Sequence, residues 1–85
     1  MTRSIDDLKV AVKAIVEKST LKGRLLGIEI EPNDDPDQPF LRVNLQIHGI
    51  GKLSVEELID LQMSIEDGLS TIDERFASVR FAEAA

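Results

Sequence analysis

Eighty-five residues are enough for one domain and too few for a second core. The absence of cysteine excludes disulfides, thiolate metal sites and thiol nucleophiles, and no apolar run approaches the length of a bilayer span. A net charge of −6, with neither Trp nor Tyr to stack on bases, argues against nucleic acid as a partner.

The charge is unevenly spread. Residues 1–24 carry six bases against three acids, whereas the remainder carries four bases against thirteen acids. The pattern from residue 4 to 19 predicts a helix. Ser4 stands where a cap is needed and Asp7 follows three residues later. Ile5, Leu8, Val12, Ile15 and Ser19 form one stripe, widened by Ala11 and Val16, and Gly23 is a suitable stop.

Residues 24–31 change to a period of two, which predicts a strand with Leu26, Ile28 and Ile30 inward and Leu25 outward. Residues 32–39 hold all three prolines and three aspartates, a composition expected to stop a ladder and form a solvated connection. Residues 40–48 alternate again: Leu41, Val43, Leu45 and Ile47 are predicted inward, and Arg42, Asn44, Gln46 and His48 outward. After the Gly49–Lys52 turn, Ser54 and Glu57 make a capping box for a helix predicted over 55–74. Its stripe is Leu58, Leu61, Ile65, Leu69, Ile72 and Phe76, and seven acids with no base between Leu53 and Glu74 give it a negative outer face. A last strand is predicted over 77–83, with Val79 and Phe81 inward.

The order α-β-β-α-β predicts an α+β fold of residues 1–85, a two-layer ferredoxin-like sandwich with two helices on one face of a three-stranded sheet. A right-handed crossover through the second helix makes the second and third strands parallel. The pattern leaves open whether the third strand lies beside the first or the second.

Three constellations bear on chemistry. Asn33, Asp34, Asp35 and Asp37 suggest a calcium loop, but the alternating ligands, the Gly and the terminal Glu of an EF-hand are missing. Gly49-x-Gly51-Lys52 before a helix suggests a phosphate cradle, but the spacing is not that of a P-loop and Glu56 and Glu57 would repel an anion. His48 has no second His or Cys with which to build a triad or a metal site. With Glu83, it joins the three aspartates as a weak candidate metal ligand. Glu29, Glu31, Arg42 and Arg80 are all expected on the outer sheet face, where cross-strand ion pairing accounts for them without a ligand.

The segments "LLGIEI", "FLRVNLQI", "LSVEELIDLQMSIEDGL" and "RFASVRFAEA", between Leu25 and the C-terminal end, resemble the cytoplasmic C-terminal domain of cation diffusion facilitator transporters. The resemblance implies the same α-β-β-α-β order and a dimerising regulatory domain, here free-standing because the transmembrane helices of that family are absent. Zinc-binding members place His or Asp on these strands. The matching positions here are Gly27, Asn44 and Phe81, with only Glu83 a carboxylate, so the resemblance brings no metal site with it.

The function expected is a non-catalytic, cytoplasmic interaction and dimerisation module, with no catalytic residues and no cofactor. Homodimerisation is expected through the outer sheet face and an open edge, using Leu25, Phe40, Arg42, Arg80 and Ala82. The alternatives are a metal- or small-ligand-sensing domain and, further off, a small enzyme using Glu29, Arg42 and Arg80.

Overall fold

The computed structural model of the chain describes residues 3–33 and 36–83. Helix α1 spans Ile5–Glu17, strands β1 and β2 span Leu25–Asn33 and Phe40–Ile47, helix α2 spans Val55–Ser70 and strand β3 spans Phe76–Glu83. A single 3-10 turn, Ile50–Lys52, precedes α2. The predicted α+β order is the observed one.

Both helices start where their caps require. Ser4 Oγ accepts from the Asp7 amide and Ser54 Oγ from the Glu57 amide, each at 3.1 Å. Both end earlier than the apolar pattern suggests. Beyond Glu17, the Ser19 hydroxyl donates to the Val16 carbonyl and accepts from the Leu21 amide. That local turn ends the helix before Gly23 and buries Leu21, a core residue the helical stripe does not reveal. Beyond Ser70, Thr71 Oγ1 donates to the Gly68 carbonyl at 2.7 Å, and the chain turns through Asp73. Phe76 therefore opens β3 and is 65% exposed, instead of completing the α2 stripe.

The sheet order is β1-β2-β3, with β1 antiparallel and β3 parallel to the central β2. β2 follows its predicted alternation: Leu41, Val43, Leu45 and Ile47 are wholly buried. β1 departs from its own. Leu25 pairs with Ile47 and Gly27 with Gln46, so Leu26 is an extra, bulged residue. The bulge shifts the phase of the strand. Leu25 joins Ile28 and Ile30 on the core side, and Leu26 is left 61% exposed.

β1 also runs through Pro32 and Asn33, paired with Leu41 and Phe40, where proline density predicted an end to the ladder. An edge strand needs to bond on one side only, so a missing amide hydrogen is tolerated there. The core joins Leu8, Val12 and Val16 of α1 and Leu61, Ile65 and Leu69 of α2 to the inner faces of β2 and β3. Both helices thus cover one face of the sheet and leave the other to solvent.

Candidate functional site

Strand register sets the composition of the uncovered face. Glu31, Arg42 and Ser78 lie in one row across the sheet, Glu29, Asn44 and Arg80 in the next, and Gly27, Gln46 and Ala82 in a third. The predicted outer-face carboxylates and guanidinium groups therefore do share a surface. Among the described residues, however, no ion pair joins Glu29 or Glu31 to Arg42 or Arg80. Of the residues expected at an interface, Phe40, Arg42, Arg80 and Ala82 lie on this face, whereas Leu25 packs against the core on the opposite side.

At one end of the face Phe40 and Phe76 are direct partners across the parallel ladder. With Asp37, Pro39 and Glu74 they border an open depression of about 680 Å³. It brings together two rings, two acids and the Ser78 hydroxyl.

At the other end, His48 and Glu83 are held by turn geometry. The His48 amide donates to the Arg24 carbonyl at 2.8 Å, and Arg24 Nη1 donates to the His48 carbonyl at 3.2 Å. Gly49 follows in the left-handed region at φ 71°. The Glu83 carboxylate accepts from the Gly49 amide at 3.2 Å and the Ile50 amide at 3.0 Å. Glu83 thus ties the end of β3 to the turn before α2.

Gly27, Asn44 and Phe81 supply no carboxylate, thiolate or imidazole, and Glu83 spends both oxygens on backbone amides. Among the described residues no group of three His, Asp or Glu is placed to hold an ion. Asp34 and Asp35 lie outside the described residues.

The polar cluster that sequence reasoning missed centres on Asp73, which is 3% exposed. Its carboxylate accepts from the Arg3 amide at 2.9 Å, from the Arg75 amide at 2.9 Å, and from Arg75 Nε and Nη2 at 3.0 and 2.8 Å. Arg75 Nη2 also donates to the Arg3 carbonyl at 3.1 Å, and Arg3 Nε to the Ile72 carbonyl at 3.3 Å. The hydrogen bonds from the Arg75 side chain hold the Asp73 carboxyl well below the usual carboxylate range, against the opposing effect of burial. Asp73 belongs to the run of seven acids that reads as a solvated face, yet it is the buried fastener between the segment before α1 and the α2–β3 turn. Its partners come from opposite ends of the chain, so no local spacing announces it.

No family model matches the sequence, and neither does any curated protein. Solved structures do match, and from end to end. One is a structure on the mode of action of CzrB, a candidate zinc transporter; it has a TM-score of 0.62 and 18% identity over 98% of this chain and 99% of that one. Another is the metal-bound C-terminal domain of the CzcD transporter from Thermotoga maritima, with a TM-score of 0.62 and 14% identity over 98% of this chain and 94% of that one. These likenesses show the fold, which the chain shares along nearly its whole length. Among the described residues no helix is long and apolar enough to cross a membrane.

Proposed function

We propose that the chain is a non-catalytic regulatory module that works by association, as a homodimer on the cytoplasmic side of a membrane or in the cytoplasm. The carrying observation is the mutual coverage of 98% and 99% with the CzrB structure. That likeness supports a single fold of this kind along nearly the whole chain. Both functional ends of the sheet support this reading. The Phe40–Phe76 depression presents two aromatic rings to solvent, and His48 and Glu83 sit in a turn whose hydrogen bonds are structural. The resemblance seen in the sequence adds the role of such domains beneath cation efflux transporters.

Light scattering of the purified chain at about 100 micromolar and about 0.15 molar salt tests the reading. A mass twice the monomer's 9.4 kDa is expected. A monomer under those conditions would remove self-association from the account. Calorimetric titration with zinc separates the sensing alternative: no heat beyond dilution is expected, and saturable binding to the apo chain would favour a sensor.

A further inference from the structure

Two of the chain's three phenylalanines stand together on the uncovered sheet face. Phe40 and Phe76 are direct partners on adjacent parallel strands, about 4.8 Å apart, so both side chains leave the sheet on the same side. Leu41 and Ala77, the next residues along each strand, are buried on the other side. Phe76 is 65% exposed, so its ring adds little to the core. Register places it there, and packing makes no use of it.

Two segments wall the depression that the rings open into. On one side, the Asp73 carboxylate holds the amide, Nε and Nη2 of Arg75, which fixes the turn before β3. The Arg75 guanidinium is drawn to Asp73, while Glu74 and Phe76, on either side of it in sequence, border the depression. On the other side, Pro39, with its restricted φ, leads into β2, and Asp37 completes the border. Two of the bordering residues are acids and none is a base. Arg42, in the next outer row along β2, does not border it. The volume of about 680 Å³ falls in the range of small-ligand sites, about 300–1,000 Å³.

We propose that this depression binds a small organic cation, its positive group over the Phe40 and Phe76 rings and beside Asp37 and Glu74. The face of an aromatic ring attracts an ammonium or guanidinium group within about 6 Å. The two carboxylates add potential of the same sign, whichever other groups they bond, and the net charge of −6 draws cations toward the whole molecule. The rings have no lone pairs to offer a bare metal ion. A cation carried on carbon uses rings and acids together. Extent decides between a free molecule and a docked protein: seven residues border the depression, against about 20–30 on each side of a stable protein interface. The site belongs to one chain and does not rest on the proposed homodimer.

Amide chemical-shift titration by NMR tests the site. Choline and agmatine are the probes, one an ammonium and the other a guanidinium. The control is the uncharged alcohol in which a tert-butyl group replaces the trimethylammonium of choline. At low salt both cations should shift the amides of Gln38, Phe76 and Ser78 saturably in the millimolar range, and the alcohol should bind at least about threefold more weakly than choline. Phe76→Leu keeps apolar bulk at an exposed position and removes the ring. It should weaken both cations by about two- to fivefold and leave the alcohol unchanged. Asp37→Asn with Glu74→Gln, both at exposed positions, should weaken the cations alone.

The absence of saturable shifts at these amides would overturn the proposal. Equal binding of choline and the alcohol would overturn it too, because the depression would then be plain apolar surface. Cation binding that Phe76→Leu leaves intact would place the cation elsewhere, and the assignment of this site would be wrong. Light scattering reads self-association separately, so failure here leaves the dimer reading standing, and a monomer that binds choline at these amides leaves this site standing.

Discussion

Asp73 shows how much a single residue fixes in a chain of this size. Four donors converge on its carboxylate, and two of them belong to one guanidinium that is itself only 12% exposed at the side chain. Removing one partner from such a buried pair leaves the other charge without compensation, which costs about 3–5 kcal/mol. Asp73→Ala should therefore remove much of the stability of a domain whose total is on the order of 5 kcal/mol, read as a fall in the urea midpoint. The pH dependence has a definite sign. The folded carboxyl is held below its unfolded value, so the unfolded chain takes up the proton first as acid is added. The stabilisation is fully present above about pH 5 and is lost as the pH falls below about 4. A Tm profile of Asp73→Asn should be flatter than the wild type's over that interval, and an equally steep profile would assign the acid sensitivity to other carboxylates.

At the scale of elements, alternation and caps were enough wherever one side chain in two had a single destination. β2 is the clearest case, and Leu45→Ala at its centre should cost about 2–4 kcal/mol. In β1 the same reasoning failed for a physical reason. Leu25 and Leu26 are equally apolar, so composition does not reveal which one the bulge extrudes, and the ladder with Ile47 and Gln46 decides it. Leu26→Ser should accordingly change stability by less than about 0.5 kcal/mol, whereas Ile30→Ser, one register step inside the core, should cost several times more. Equal losses in chemical denaturation would mean that the strand is in phase and unbulged. Pro32 was misread because proline was weighed by density and not by position, and strand position depends on a sheet order that the sequence left open. Since Asn33 and Phe40 pair directly, residues 34–39 can be replaced by the two-residue turn Asn-Gly, which closes such a pair with the twist a hairpin needs. The Tm should be unchanged or higher, and a sharp fall would show that the native loop docks on the domain or holds an ion.

Across the whole molecule, the candidate site was less legible than the fold. A surface is a product of register, and the register turned Leu26 outward and Leu25 inward, against the expectation on which the outer-face interface rested. The charge asymmetry was visible from the start, and it bears on how two copies meet. Each copy carries −6 over a body whose longest dimension is 38 Å, so distributed repulsion acts across distances well beyond the roughly 8 Å Debye length at 0.15 molar salt. Ion pairs formed across a contact act over a few ångströms, and they are screened only at much higher ionic strength, where that length falls to about 3 Å. The two effects therefore respond to salt in different ranges. Raising sodium chloride from about 10 millimolar to about 150 millimolar should tighten the dimer as the global repulsion is screened, and raising it to about 1 molar should loosen it as the local pairs are screened in turn. Sedimentation velocity across that series should give an affinity with an interior maximum. A dimer that tightens continuously up to 1 molar would show that apolar contact alone holds the copies together, and one that loosens from the lowest salt onward would mean that the repulsion of two −6 bodies is negligible beside the local pairs.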